Sequence, residues 1–224
     1  MDSIFDGDLR APAGRRIAWL DALFIDHAVF RLVWDNWAAV EPGVLYRCNH
    51  PTPGRLAAAT RRFGLQTIVN LRGAQARNGA DALAREAADR LGLAIVDVAL
   101  QSGRAPAKAE VLALIEIYRT MRTPALIYCK SGADRTGFAA GVFVLARGGT
   151  TMDAMRHLSL RFGHMRGSRA GVLDAFFVRY RDEAEGNKPF LEWVQQDYEP
   201  AALAGAVATN AVQRFLNDRL LGRE

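Results

Sequence analysis

The sequence predicts an α/β fold in which helices flank a central, mostly parallel sheet and an all-helical C-terminal extension follows. Three observations predict it. Short apolar segments typical of buried strands alternate with longer helical segments between residues 44 and 128. Strands joined through helices usually pair in parallel, because the crossover helix packs back onto the sheet. From residue 136 onward the apolar periodicity is helical only.

The N-terminal part predicts one helix over residues 17–34, because Trp19, Leu23, Phe30 and Trp34 form an apolar stripe. Charged residues of both signs interrupt this stripe, which favours packing on the core over binding at a membrane surface. Residues 44–47 then predict a short strand, and the Pro and Gly residues at 51–54 predict a turn.

The elements that follow are predicted from the change in apolar periodicity. The alternating part comprises a helix over 54–63, a strand over 66–71, a helix over 80–91, a strand over 93–99, a helix over 106–121 and a strand over 124–128. The helical part comprises helices over 136–147, 151–162, 170–183, 189–197 and 200–220.

The composition is that of one globular domain over residues 1–224. Half of the residues are hydrophobic and 24% are charged, which excludes disordered and fibrous classes. No repeat or linker divides the chain. Two cysteines are too few for a disulfide framework, no apolar stretch is long enough to span a bilayer, and the N-terminus does not resemble a signal peptide. We therefore expect a soluble cytoplasmic protein.

The net charge of +5 is unevenly distributed. Residues 47–80 contain six arginines and residues 154–173 contain four, and neither segment contains an acidic residue. The rest of the chain is net acidic, so the protein is an acidic chain that carries two basic segments. Only three of the 29 basic residues are lysines, so the arginine bias of a GC-rich bacterial genome explains the surplus equally well.

The segment Cys129–Gly137 contains the candidate catalytic and anion-binding residues. It reads Cys-Lys-Ser-Gly-Ala-Asp-Arg-Thr-Gly and lies between a predicted buried strand and a helix, where backbone N–H groups form an anion site. A cysteine there, beside Arg135, is expected to be a thiolate nucleophile, and the guanidinium can bind two phosphate oxygens. Glycine allows the tight curvature, and Thr136 can hydrogen-bond the sulfur. The predicted phosphate-binding residues are Lys130, Ser131, Gly132, Ala133, Thr136 and Gly137.

This C-x5-R-[ST] pattern resembles the signature of the cysteine-dependent phosphatases, the protein tyrosine and dual-specificity phosphatase superfamily. Segments 46–53, 67–73 and 158–164 resemble a compact bacterial dual-specificity-like branch, so that the resemblance covers residues 25–183 and leaves 184–224 as the extension. It implies that Cys129 attacks phosphorus and that Arg135 binds the phosphate. It also implies hydrolysis of phosphate monoesters through a phosphocysteine, with no metal and no cofactor.

The sequence departs from the family pattern at two places. Tyr128 stands where the family usually has a histidine, and the loop at 100–107, where the family's general acid is usual, has no acidic residue. Asp134, Asp97 and water are the remaining proton sources. Asp134 is favoured because this loop resembles the Asp-Arg-Thr loops of some phosphoinositide phosphatases, and that resemblance implies that the aspartate is the general acid. A structural carboxylate held by Arg135 and the loop amides is an equally open interpretation.

The substrate class stays open at this point. Because the two basic segments lie upstream and downstream of the Cys129–Gly137 loop, the expected partner is a phosphate ester and not nucleic acid. Surplus basic residues favour a phosphorylated lipid or inositol and transient contact with a membrane surface, but a phosphorylated protein is also possible. The residues expected to select a polyanion are His50, Arg72, Arg161, His164 and Arg166. A rhodanese-like sulfurtransferase and a catalytically weak phosphate-binding module are the alternative functions. For Cys48, a reversible disulfide with Cys129 and a merely buried thiol are both open.

Overall fold

A computed structural model describes residues 3–26 and 34–204 of the chain. Within these residues five strands form one sheet in the order β1-β2-β5-β3-β4. Strands β2, β5, β3 and β4 are parallel, and β1 pairs antiparallel with β2, so the predicted mostly parallel sheet is confirmed. The strands are β1 (Ala38–Glu41), β2 (Leu45–Cys48), β3 (Thr67–Asn70), β4 (Ala94–Asp97) and β5 (Ala125–Tyr128).

Helices cover both faces of this sheet. The helices of the described residues are α1 (Pro12–Leu20), α2 (Pro53–Phe63), α3 (Gly79–Arg90), α4 (Lys108–Thr120), α5 (Asp134–Ala146), α6 (Thr151–Met155), α7 (Gly171–Glu183) and α8 (Phe190–Gln196), of which α1 packs on α3. A π-helical turn (Asp21–Ile25) and a 3-10 turn (Leu160–Phe162) add to them, and residues 200–204 are helical.

The parallel strands end at one level. Cys48 lies opposite Tyr128, Tyr128 opposite Asn70, and Asn70 opposite Asp97 in the three parallel pairings. The residues that follow these strands therefore meet at one edge of the sheet, where ligands of open α/β sheets bind.

Two cores lie on the two faces of the sheet. On one face, α5, α7 and α8 bury a set of aromatic side chains in which Phe176 contacts both Trp193 and Tyr198. On the other face, α2 and α3 pack against apolar residues of β2, β3 and β5. The beginning of the C-terminal extension thus shares the main core, and Tyr198 donates to the carbonyl of Pro106 at 2.6 Å.

The predicted helix over 17–34 is wrong at both described ends. Helix α1 begins at Pro12, which suits the first turn because it lacks an N–H, and the chain at Trp34 is not helical. Residues 27–33 of the prediction lie outside the described residues. The helix gives way to the π turn at Asp21, whose buried carboxylate accepts hydrogen bonds from Ser3 and Ile4 and from the amide of Gly79.

The predicted helix over 151–162 is also wrong, because α6 ends at Met155. Beyond it the carbonyls of His157 and Phe162 accept from the side chains of Arg47 and Asn36 instead of from a helical ladder. Gly163, at φ 80°, then ends the 3-10 turn. Of the predicted helix over 200–220, residues 205–220 lie outside the described part of the chain. None of the helices in that part is long and apolar enough to cross a membrane.

Candidate active site

Cys129 follows directly after β5, at the edge of the sheet where the parallel strands end. The residue is 2% exposed, and the backbone N–H of Gly132 points at its Sγ atom at 3.3 Å. Thr136 is fully buried on the first turn of α5, and its hydroxyl has no hydrogen-bond partner in the described part of the chain. The loop therefore wraps around a buried sulfur atom.

The carbonyl groups of residues 130–132 accept hydrogen bonds from outside the loop, and the carbonyl of Ala133 accepts the first helical hydrogen bond of α5. The donors are the amide of His50 to Lys130 at 3.3 Å, Asn36 Nδ2 to Ser131 at 2.7 Å, Arg47 Nη2 to Gly132 at 2.5 Å and the amide of Gly137 to Ala133 at 2.8 Å. Because the N–H of each peptide group points opposite to its C=O, the amides that follow these carbonyls are directed toward the centre of the loop. This is the arrangement that binds an anion.

Glycine is required at two positions of the loop. Gly132 adopts φ +74°, and a Cβ atom there would lie 2.7 Å from the amide nitrogen of Asn49 and 2.8 Å from the carbonyl oxygen of Cys48. A Cβ at Gly137 would lie 2.5 Å from the carbonyl oxygen of His157. The first glycine lets the loop approach β2, and the second lets α5 approach the segment after α6.

Arg47 supports the loop from below. It is fully buried, donates to the carbonyls of Gly132 and His157, and places its guanidinium 3.7 Å from the ring centroid of Phe162. Burial lowers the pKa of Arg47 to about 10, although nearby Cys129 and Cys48 act in the opposite direction. Sequence reasoning counted Arg47 only as one surplus charge, although an arginine in a buried strand already indicated an internal partner.

Asn36 is a second supporting residue that sequence reasoning missed. Its side-chain amide donates to the carbonyls of both Ser131 and Phe162, and its backbone has φ +54°, which asparagine tolerates better than most residues. Neither contact leaves a signal in the sequence, because residue 36 lies 95 positions from one partner and 126 from the other.

The guanidinium of Arg135 is positioned so that it can bind an anion. The residue lies on the first turn of α5, is half-buried, and pairs with no carboxylate or carbonyl among the described residues. The amides of Ser131, Asp134 and Arg135 likewise donate to no acceptor there. These donors and the helix N-terminus make a positively polarised cradle around Cys129.

Asp134 does not pair with Arg135, which is the partner that sequence reasoning considered. Its Oδ1 lies 2.7 Å from Nδ1 of His164, whose Nε2 lies 2.6 Å from Oδ2 of Asp174. Desolvation acts against the charged imidazole, but the hydrogen bonds to Asp134 and Asp174 outweigh it and raise the pKa of His164 to about 9. Arg166 Nε in turn donates to the other oxygen of Asp174 at 3.0 Å.

The structure places the other acid candidate, Asp97, among different partners. Its carboxylate accepts from Asn70 Nδ2 at 3.0 Å and from Arg85 Nη2 at 2.5 Å, and it contacts no residue of the 129–135 loop within the described chain. Glu110 follows the acid-free loop, but its two oxygens accept from Arg104 and from the amide of Ala107. It therefore caps α4.

Three of the basic residues near the site form ion pairs or hydrogen bonds with other residues of the protein. Arg72 is 7% exposed and makes a bidentate ion pair with buried Asp26, and it also donates to Nδ1 of His50. Since a guanidinium can only donate, Nδ1 of His50 is the acceptor and Nε2 carries the ring proton. Nε2–H then donates a hydrogen bond to the carbonyl of Ala80. Lys130 Nζ lies 3.6 Å from Asp26 and stays partly exposed.

Tyr128 and Cys48 both lie buried beside the loop. The Tyr128 ring meets the His50 ring edge to face at 5.0 Å, and burial raises the pKa of its phenol above the ordinary value. The Cys48 thiol donates to the carbonyl of Asn49 at 2.8 Å, and burial raises its pKa as well. Both cysteines are free thiols.

The residues described by the structure contain no cluster of histidine, cysteine or carboxylate side chains with the arrangement of a metal site. What the loop does offer is a recessed sulfur surrounded by hydrogen-bond donors. This arrangement can hold a tetrahedral oxyanion with its central atom in line with the sulfur.

Comparison with solved structures finds the same fold in phosphatases. The core catalytic domain of the PP-IP phosphatase SIW14 from S. cerevisiae is 16% identical, with a TM-score of 0.52 over 66% of this chain and 92% of that one. Tk-PTP in its active form is 15% identical, with a TM-score of 0.50 over 67% and 98%. TpbA of P. aeruginosa is 20% identical, with a TM-score of 0.49 over 64% and 91%. A search of curated proteins gives no significant match.

The assignment of the chain to a protein family rests on a match to a family model. The model described as "DSP-PTPase phosphatase fused to NAD+ Kinase" matches residues 44–166, which is more than half of the chain and contains the whole Cys129–Gly137 loop. The match gives no support to a sulfurtransferase or to a phosphate-binding module. The chain belongs to this family of DSP-PTPase phosphatases, and it is a cysteine-dependent phosphatase.

Proposed function

We propose that the protein hydrolyses phosphate monoesters at the Cys129–Gly137 loop, with Cys129 as nucleophile and Arg135 as the main phosphate-binding side chain. The observation that carries this proposal is the outward orientation of the carbonyls of residues 130–132, which directs the amides to the space above Sγ. Lys130, Ser131, Gly132, Ala133, Thr136 and Gly137 complete the phosphate-binding loop.

The reaction has two steps. The Cys129 thiolate attacks phosphorus, the P–O bond to the leaving group breaks, and a phosphocysteine forms. Water then attacks this intermediate, and the thiolate leaves with a hydrogen bond from the hydroxyl of Thr136, which has no other partner among the described residues. The amides and Arg135 neutralise charge on the three equatorial oxygens throughout, which is where most of the catalysis of phosphoryl transfer lies.

Asp134 is the proposed general acid. It is the carboxylate on the loop itself, its side chain is 29% exposed, and His164 is its one hydrogen-bond partner among the described residues. Oδ2 therefore stays available to a leaving group. Asp97 is held by Arg85 and Asn70, and we do not propose it.

The proposed substrates are a phosphorylated protein, a phosphorylated lipid or an inositol phosphate, at an expected cytoplasmic location. SIW14 is described as a PP-IP phosphatase, and TpbA has been solved in complex with pTyr. In this chain Arg72 and His50 are buried in contacts with Asp26 and Ala80, so they support the loop and do not bind a second phosphate. Of the four arginines in residues 154–173, Arg156 pairs with Asp153 and Arg166 with Asp174, whereas Arg161 and Arg169 have no carboxylate partner among the described residues.

The nucleophile is tested by replacing each of the two cysteines. Cys129→Ser is expected to abolish hydrolysis of a small aryl phosphate and to retain binding of inorganic phosphate, measured by calorimetry. Cys48→Ser is the matched control: it removes a buried thiol outside the loop and should keep turnover. Hydrolysis by Cys129→Ser at the wild-type rate would overturn the proposed mechanism.

The acid is tested by the dependence on the leaving group. Asp134→Asn should slow an alkyl phosphate by about 100-fold or more and a nitrophenyl phosphate only slightly, because a good leaving group needs no proton. Equal effects on both substrates would remove Asp134 as the acid. A panel of phosphotyrosine peptide, phosphoinositide vesicles and inositol phosphates then identifies the substrate class.

A further inference from the structure

The side chains of Asp134, His164, Asp174 and Arg166 form one continuous chain of hydrogen bonds that leads from the catalytic loop into the helical half of the molecule. The distances along it are 2.7, 2.6 and 3.0 Å. His164 is the central member and has a fully buried side chain, so bulk water does not exchange its protons directly. Both of its ring nitrogens point at carboxylate oxygens.

We propose that His164 is a positioning residue that stores the leaving-group proton for Asp134, and that Asp174 orients and stabilises its charged ring. This inference rests on the proposed function of Asp134 as the acid. It removes a difficulty in that function. An ordinary carboxylic acid has lost its proton at neutral pH, yet a general acid must carry a proton when the leaving group departs.

The geometry resolves the difficulty because the proton is shared by a pair of residues. With the proton on Nδ1, His164 is an imidazolium and Asp134 a carboxylate. Transfer across the 2.7 Å hydrogen bond gives a neutral imidazole and a carboxylic acid. Coupled groups of this kind release protons as a pair, so the proton stays available where a lone carboxyl would have lost it.

The proton balance closes over the two steps. In the first, the S–P bond forms and the P–O bond breaks with its electron pair on the leaving oxygen. That oxygen takes the proton from the Asp134 carboxyl after rotation of the carboxyl group, which leaves a carboxylate and a neutral His164. In the second, the water oxygen forms a bond to phosphorus and gives its proton to Asp134, which returns it to Nδ1, while the P–S bond breaks with its electron pair on sulfur.

Asp174 has the role that a buried carboxylate has in a catalytic triad. Its Oδ2 accepts a hydrogen bond from Nε2–H at 2.6 Å and so fixes the ring with Nδ1 toward Asp134. Arg166 holds its other oxygen. Asp134 on α5 and Asp174 on α7 are the charged groups that raise the pKa of His164, to about 9, in the described part of the chain.

The test is the pH profile of kcat/KM for an alkyl phosphate and for an aryl phosphate with a good leaving group. Wild-type enzyme should lose alkyl phosphate turnover above about pH 9, where the pair is deprotonated. Asp174→Asn still offers an oxygen to Nε2 but no charge, so this alkaline limb should shift by about one to three pH units toward acid. His164→Asn should lower alkyl phosphate turnover by about 100-fold and aryl phosphate turnover only slightly.

His157→Asn is the matched control. His157 lies on the same segment, burial and the charge of Arg47 lower its pKa to about 4, and its ring contacts neither carboxylate. The variant keeps the backbone carbonyl that Arg47 uses and should leave the alkaline limb in place. A separate NMR titration of the ring should find His164 charged up to about pH 9 in wild-type enzyme and less so in Asp174→Asn.

The outcomes separate this inference from the function on which it rests. If Asp134→Asn does not discriminate between alkyl and aryl phosphates, the proposed acid is wrong and His164 has no proton to store. If Asp134→Asn discriminates but Asp174→Asn leaves the alkaline limb unmoved, the acid stands and the proton store is overturned. Because Asp174→Asn is nearly isosteric, this second outcome does not depend on whether His164→Asn folds.

Discussion

The guanidinium of Arg47 lies beneath the catalytic loop and donates from Nη2 to the carbonyl oxygen of Gly132 at 2.5 Å. Its Nη1 donates to the carbonyl of His157 at 2.8 Å. One buried guanidinium thus joins the Cys129–Gly137 loop to the segment that carries the 3-10 turn and His164. The same residue of β2 therefore contacts both the Cys129–Gly137 loop and the segment that carries His164, the hydrogen-bond partner of Asp134.

We expect Arg47→Met to lose both stability and activity. It leaves the carbonyls of Gly132 and His157 buried without a donor, at about 1 to 3 kcal/mol each, and it frees the loop to rotate its peptide groups. Urea unfolding should show a free energy of unfolding lower by about 2 to 5 kcal/mol, with kcat reduced by at least about 100-fold.

Arg47→Lys is the informative comparison, because it keeps the charge and loses the fork. A lysine ammonium cannot serve two carbonyls in the geometry of a guanidinium, so this variant should fall between wild type and Arg47→Met in stability and remain poorly active. Full activity of Arg47→Lys would mean that only the charge beneath the loop matters.

Gly132→Ala should abolish phosphate binding. The residue has φ +74°, and its new Cβ would meet backbone atoms of Cys48 and Asn49 at 2.7 to 2.8 Å, which cannot move without separating the loop from β2. Gly148→Ala is the control, since Gly148 has a similar φ of +80° and no atom within 4 Å.

The control should show only the backbone strain of about 1 kcal/mol and unchanged turnover. Calorimetric titration with inorganic phosphate and thermal unfolding measure the two effects. Equal losses in both variants would show that left-handed backbone strain, and not contact with β2, determines the outcome at Gly132.

Arg72→Met should destabilise the fold without changing substrate preference. Arg72 and Asp26 are 7% and 3% exposed, and breaking a buried ion pair from one side costs about 3 to 5 kcal/mol. We expect the ratio of KM values for an inositol polyphosphate and a simple aryl phosphate to stay the same in this variant. Arg161→Ala is the comparison that should change that ratio if the segment after α6 binds a second phosphate.

The sequence predicted the parts of the site that lie close together along the chain. Cys129, the glycines and Arg135 fall within nine residues, and one strand and one helix N-terminus position all of them. The four parallel strands were also predicted, because each is a short segment with an apolar centre that lies between helical segments. Strands β3 and β5 are buried along their whole length, whereas β4 is an edge strand with partly exposed side chains. Strand β1 was missed, since Ala38–Glu41 is an edge strand whose pairing depends on β2.

The partner of Asp134 could not be predicted, for a physical reason. Arg135 is its neighbour in sequence, but successive residues on a helix point in different directions, about 100° apart. His164 lies 30 residues away, and Asp174 lies ten residues beyond it. Their meeting depends on the end of α6 at Met155, where the sequence pattern had predicted an unbroken helix to residue 162.

Stability should be greatest near pH 6.5 and decline on both sides, because two histidines shift in opposite directions. The folded protein raises the pKa of His164 from 6.5 to about 9, so its contribution is complete below pH 6.5 and is lost as the pH rises toward 9. It lowers the pKa of His157 from 6.5 to about 4, so that contribution is complete above pH 6.5 and is lost as the pH falls toward 4.

Urea unfolding between pH 4 and pH 9 measures both slopes. A shift of this size at fully buried His164 corresponds to about 3 kcal/mol at most, so the alkaline decline should be visible in the unfolding midpoint. His164→Asn should flatten the alkaline side alone and His157→Asn the acidic side alone. Asp174→Asn should flatten the alkaline side as well, because the charge that holds the imidazolium is gone. An alkaline decline unchanged in both His164→Asn and Asp174→Asn would mean that another group titrates there.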